Sequence, residues 1–305
     1  MRDKKTIRTA NYVAAETFIS KQIERHGICV LLGDKGSGKT YIKTKVVGAM
    51  AQNVGKYKVV EVGVMNENAK TITQIMSAMI TDISGETPKQ DVEARRKQLR
   101  RILGTAASGY EVILAIDEAQ DLHKSTLRGL KKIHELAYGT QDKLFTIILF
   151  AHPEIVVKIS DDELRPRFKR FKMQPLTAEE KAKFVPDTTI FEKDALNLFL
   201  RRTRTNPLSV EESWDDLAAI KEELGIAKLT SKQIADYFSY DVKETIVGFG
   251  MSYRALANDI KLVTGKDISG TALNQVVNGK YQGAIDKVQS LIREYAEQKS
   301  QVIGG

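Results

Sequence analysis

The chain has 305 residues, 42% of them hydrophobic and 28% charged, a balance that suits a globular protein with a sizeable core. No apolar run approaches the roughly 20 residues of a membrane-spanning helix. Met1 to Thr6 lack the apolar segment of a secretory leader, and Cys29 is the only cysteine, so an internal disulfide is excluded and a cytoplasmic setting is expected. The formal net charge of +8 favours a polyanionic partner such as nucleic acid, though it carries no information about fold.

The pattern over residues 6–26, with Tyr12, Ala15, Phe18, Ile19 and Ile23 among polar residues, predicts an amphipathic helix ending at Gly27. Ile28 to Leu32 reads as a buried strand, followed by a glycine-rich loop and a helix to about residue 52. Lys58 to Val64 is a second expected strand, and helices are expected near 71–83 and 89–104. Val112 to Ile116 is the third strand, a helix covers about 125–138, and Leu144 to Phe150 is the fourth. Strands alternating with helices predict a parallel sheet covered on both faces. Beyond residue 172 the remaining segments are helical in period and are punctuated by Pro175, Pro186 and Pro207. The expected organisation is an α/β nucleotide-binding domain over 1–172, a linker over 173–190, a helical lid over 191–265 and a small C-terminal module over 266–305.

The loop Gly33-Asp34-Lys35-Gly36-Ser37-Gly38-Lys39-Thr40 lies between a strand and a helix. Its backbone N–H groups can curl around a polyphosphate, and the helix N-terminus adds partial positive charge. The glycines keep side chains out of the way of that approach. Lys39 can reach the β- and γ-phosphates, and the Thr40 hydroxyl can ligate Mg²⁺. The third strand ends in Asp117-Glu118. Asp117 suits a place beside the metal, and Glu118 suits the base or water-positioner for attack on the γ-phosphate. ATP and Mg²⁺ are the expected ligands.

With both motifs in place, the sequence resembles the P-loop ATPases of the AAA+ superfamily, Gly33–Thr40 standing as Walker A and Ile113–Glu118 as Walker B. Asp117-Glu118-Ala119-Gln120-Asp121-Leu122 resembles the group that contains transposition helper ATPases and secretion-associated ATPases. In that group the turn after the fourth strand carries a polar sensor of the γ-phosphate. His152 fills the position here, where Asn or Gln is usual. Leu164-Arg165-Pro166-Arg167-Phe168 matches the region that supplies an arginine finger to a neighbouring subunit, with Arg167 the first choice and Arg165 the second. Such a finger accelerates hydrolysis by roughly 10³- to 10⁵-fold. Gly250 to Leu256 resembles the start of the lid helix whose arginine faces the nucleotide, which makes Arg254 the second sensor.

Near the C-terminus Ser269 caps a short helix that ends at Asn278-Gly279, and a further helix follows. Leu273, Val276 and Val277 mark its apolar side, while Thr271, Asn274 and Gln275 can contact base edges and Lys280 a phosphate. Ile268 to Gly283 resembles the helix-turn-helix of the B transposition proteins of Mu-like phages, although in those proteins the module precedes the ATPase. The resemblance implies an ATPase that forms a ring or filament of its own copies on double-stranded DNA, largely without sequence preference, and that stimulates a transposase. The basic runs Arg95 to Arg101, Arg165 to Lys172 and Arg201 to Arg204 would line the DNA-facing surface. Two alternatives use the same nucleotide site: a regulatory ATPase acting on protein partners, of the secretion-helper type, and a replication-initiation or helicase-loading ATPase.

Overall fold

The computed structural model describes residues 7–63, 71–283 and 285–303. The expected helix start at Thr6 and strand end at Val64 lie outside these residues. The chain divides into two compact units, Met1–Glu180 with Asn206–Leu208, and Lys181–Thr205 with Ser209–Gly305.

In the first unit, helix α1 (Ala10–Glu24) leads into strand β1 (Ile28–Leu32). The phosphate-loop sequence follows, then α2 (Lys39–Ile42), a π-helical turn over Lys43–Val47 and α3 (Gly48–Gln52). The single helix expected over 39–52 therefore carries one wide turn, a feature frequent at functional sites. Strand β2 (Tyr57–Gly63), α4 (Ile72–Ser84), α5 (Val92–Ala107), β3 (Glu111–Asp117), α6 (Lys124–His134), β4 (Thr146–Ala151) and the short α7 (Ile155–Lys158) come next. Strand β5 (Phe168–Lys172) closes the sheet, and α8 (Ala178–Ala182) runs across the division between the units.

The sheet order is β2-β3-β4-β1-β5, and every neighbouring pair is parallel. Alternate residues of the strands feed opposite layers. Val30, Leu32, Val112, Leu114, Ile147 and Leu149 join a core with residues of α4, α5 and α6. Cys29, Leu31, Ile113, Ala115, Ile148 and Phe150 join the other core with Tyr12, Ile19, Ile42 and Val47. Cys29 is fully buried there as a small apolar side chain, and burial pushes its thiol pKa up. The α/β architecture, a parallel sheet with a core on each face, is the one expected from the sequence. β5 was not expected from sequence, because Lys169, Arg170 and Lys172 obscure any apolar alternation. As an edge strand it needs to bury only Phe168 and to pack Phe171 against Phe18 of α1, with ring centroids 5.5 Å apart.

The second unit contains α9 (Lys193–Arg202), α10 (Pro207–Glu223), α11 (Ser231–Gly248), α12 (Tyr253–Thr264), α13 (Gly270–Val277) and α14 (Ile285–Ile303). Its apolar packing falls into two clusters. One runs from Val185 to Phe238 and holds Phe191 stacked on Phe199. The other runs from Val242 to Tyr295 and joins Leu256 and Ile260 of α12 with Leu273 and Val276 of α13 and Ile292 of α14. Helix α12, assigned from sequence to the lid, thus shares its core with the C-terminal helices. Among the described residues no helix is long and apolar enough to cross a membrane.

Candidate nucleotide site and nucleic-acid face

Because β1, β3 and β4 are parallel, Leu32, Asp117 and Ala151 all end at the same edge of the sheet, the end where α/β folds place ligands. The loop after β1 is tied to β4 by the Gly33 N–H, which donates to the Ala151 carbonyl at 3.2 Å. Gly36 and Gly38 take φ of +78° and +97°, a region that strains any residue with a Cβ. A Cβ on Gly33 would lie 2.3 Å from Ser37 Oγ. That hydroxyl is buried and has no hydrogen-bond partner among the described residues. Lys39 is buried, and its ammonium donates to the loop carbonyls of Gly33 (2.5 Å) and Asp34 (3.1 Å). Burial lowers the Lys39 pKa, and the carboxylates of Glu118, Asp34 and Asp117 act against that shift. Asp34, Lys35 and Thr40 are exposed. A glycine-rich loop, a buried hydroxyl lacking a partner and a lysine turned towards the loop fit a polyphosphate.

Asp117 accepts a hydrogen bond from Lys43, in the π-helical turn, at 2.7 Å. Its other oxygen accepts from the Glu118 N–H at 3.1 Å. Glu118 itself has φ +51° and ψ +41°, a left-handed corner that turns the chain out of β3 into the short 3₁₀ turn Ala119–Asp121. Its Oε2 accepts from Gln120 Nε2 at 2.7 Å, and Gln120 Oε1 accepts from the His152 N–H at 3.0 Å. Lys158 of α7 donates to the carbonyls of Gln120 (2.5 Å) and Leu122 (3.1 Å). Thr40, at the start of α2, and Asp117, at the end of β3, could each offer an oxygen to a divalent cation. The structure therefore brings Lys39, Asp117, Glu118 and His152 to one end of the sheet, and engages His152 through its backbone.

Arg165 and Arg167 lie elsewhere. They precede β5, whose first residue, Phe168, pairs with Ile28, while its last, Lys172, pairs with Leu32. The two arginines thus sit at the amino end of the sheet, about 16 Å of strand away from the phosphate loop of their own chain. Both are exposed, and Arg167 makes a 3.5 Å ion pair with Glu135. Arg254 belongs to the second unit and is exposed in the first turn of α12. A Cβ on Gly270 would come within 3.0 Å of the Arg254 backbone nitrogen, so α13 starts in close contact with α12.

On α13, Leu273 and Val276 are buried, whereas Thr271, Asn274 and Gln275 are exposed, as is Lys280 in the following turn. Among the basic runs, three arginines of the first are engaged within the fold, while Arg96 and Lys97 are exposed. Arg95 donates to the Lys89 and Gln90 carbonyls, Arg100 to the Ala137 carbonyl, and Arg101 pairs with Glu86 at 2.5 Å. Sequence reasoning assigned no role to Lys43, Gln120 or Lys158. Lys43 carried one signal, since four residues beyond Lys39 it shares that residue's helical face.

The AAA domain family matches residues 22–158. No curated protein matches the chain. Among solved structures, Aeropyrum pernix ORC2 in its ADPNP–ADP complexes is similar at 13% identity and a TM-score of 0.50, with 98% of this chain and 96% of that chain covered. Aeropyrum pernix ORC1 in complex with DNA is similar at 13% identity and a TM-score of 0.54, covering 96% and 79%. Pyrobaculum aerophilum Cdc6p is similar at 15% identity and a TM-score of 0.52, covering 96% and 86%. The matched segment spans β1 with its phosphate loop, the Asp117-Glu118 corner and β4, and the chain accordingly carries an AAA-family P-loop ATPase domain.

Proposed function

We propose that the chain binds ATP with Mg²⁺ at Gly33–Thr40, hydrolyses it, and assembles with its own copies on double-stranded DNA when ATP is bound. The observation that carries this reading is the meeting of the phosphate loop, Asp117 and Glu118 at the ends of three parallel strands. Lys39 meets the β- and γ-phosphates, and the loop amides with Ser37 line the remaining oxygens. Thr40 and Asp117 hold the metal, which when bound neutralises charge on the phosphate oxygens. Glu118 accepts the proton of the attacking water. His152 and Arg254 are the sensor candidates. Arg167, with Arg165 behind it, completes the site of a neighbouring copy.

The exposed Thr271, Asn274, Gln275 and Lys280 support α13 as the DNA-contacting helix. We assign the protein to transposition, as a target-selecting activator of a transposase. A replication-initiation role is the second reading, favoured by the likeness to ORC2 and Cdc6p over nearly the whole chain. Both readings share ATP and DNA and differ in the protein partner.

Retardation of duplex DNA with ATP, with ADP and without nucleotide tests the shared part. Lys39→Ala is expected to lose nucleotide binding and ATP-dependent retardation. Glu118→Gln is expected to bind ATP, fail to hydrolyse it and hold the DNA complex. Wild-type hydrolysis by Glu118→Gln would overturn the assignment of Glu118. The absence of DNA binding at low salt, with or without ATP, would favour an ATPase acting on protein partners.

A further inference from the structure

We infer that Gln120 is a positioning residue, holding the Glu118 carboxylate towards the phosphate loop and tying it to the turn after β4. The inference rests on the hydrolytic reading of Glu118. Gln120 uses both ends of its amide, the NH₂ on Glu118 and the oxygen on the His152 N–H. The chemistry dictates that orientation, since a carboxylate only accepts and a backbone N–H only donates. An uncharged amide satisfies both at once, whereas a carboxylate in its place would meet Glu118 with like charge. The backbone of Gln120 is fixed as well, by Lys158 at its carbonyl and by the fully buried Ala119 beside it.

The link has two consequences. Glu118 is itself the left-handed corner, outside β3 and ahead of the 3₁₀ turn, and the Gln120 amide is the contact that orients its side chain. Glu118 follows Asp117 at the sheet edge where the phosphate loop begins, and its N–H donates to the Asp117 carboxylate. The far end of the link is His152, one residue beyond Ala151, whose carbonyl takes the Gly33 N–H. A shift of the β4 turn therefore reaches both the phosphate loop and the hydrolytic carboxylate.

Gln120→Met keeps the length of the side chain and removes both bonds. Gln120→Glu keeps an acceptor for the His152 N–H and removes the donor to Glu118. For both variants kcat is expected to fall roughly tenfold to a hundredfold, with binding of ADP and of a slowly hydrolysed ATP analogue within about twofold of wild type. If Gln120 only pinned the His152 turn, Gln120→Glu would retain wild-type kcat, and that result would overturn the inference. Adding Gln120→Met to Glu118→Gln is expected to cost nothing further, because the two act through one carboxylate. Additive losses in that double variant would also overturn it. An inactive Glu118→Gln beside two fully active Gln120 variants sinks this inference alone, whereas an active Glu118→Gln sinks the reading beneath it.

Discussion

Lys43 places a fixed cation 2.7 Å from the carboxylate assigned to the metal, with Glu61 a further 4.0 Å contact. A divalent cation approaching Asp117 meets that ammonium first. Lys43→Met is therefore expected to lower the Mg²⁺ concentration needed for half-maximal ATP hydrolysis. Exposed ion pairs are worth up to ~1 kcal/mol, and this pair, with side chains 22% and 18% exposed, gives a shift of at least roughly fivefold. Titration of Mn²⁺ in the presence of ADP reads the same change without turnover, and an unchanged or weakened metal affinity would show that Lys43 orients Asp117 instead of competing for it. The phosphate loop was legible in the sequence because its chemistry is local: Gly36 and Gly38 are required by their own φ angles. Gln120 lay inside a quoted motif without a role, since its partners are a side chain two residues back and a backbone group beyond the next strand.

Elements were legible where one period ran undisturbed. β1 and β4 are buried throughout, as is β3 between its end residues, and all three read as apolar runs, whereas β5 is an edge strand whose charges hid it. α5 is the converse case, its basic run looking like a binding surface while Arg95 and Arg101 hold the loop before the helix and Arg100 bonds the Ala137 carbonyl. Helix α6 ends in another tertiary contact. His134 Nε2 bonds the His26 carbonyl at 2.7 Å, and the ring packs edge-on against Phe145, centroids 5.6 Å apart. Burial holds this imidazole below the usual histidine range, so the folded protein keeps it neutral while the unfolded chain takes up the proton more readily. The stabilisation is complete above the unfolded value near 6.5 and is lost as pH falls towards the lowered folded value. Wild-type Tm is expected to drop as the pH falls below about 6.5. His134→Gln keeps a donor for the His26 carbonyl and removes the titration, so its Tm should vary less over that window. Equal slopes for the two proteins would assign the acid sensitivity to other groups.

At the scale of the whole molecule, the position of the arginines decides how the site is completed. Arg165 and Arg167 stand at the amino end of the sheet, and the phosphate loop stands at the carboxyl end. On the proposed reading, a finger so far from its own loop would act on another copy, and hydrolysis would be a property of the assembly. Mixing two inactive variants tests this directly. Arg167→Ala retains Glu118 and lacks the finger, whereas Glu118→Gln retains the finger and lacks the hydrolytic carboxylate. Each alone is expected to be inactive in the presence of DNA. In an equal mixture, a random arrangement of subunits pairs an intact Glu118 with an intact finger at about a quarter of the interfaces, so about a quarter of the wild-type rate should return. Dilution below the assembly concentration should abolish the recovered activity. If Arg167→Ala retains full activity, the same experiment with Arg165→Ala decides for the neighbouring arginine. If both arginine variants are inactive and neither mixture recovers, the arginines act within the fold, Arg167 through its pair with Glu135, and the site is completed by some other group.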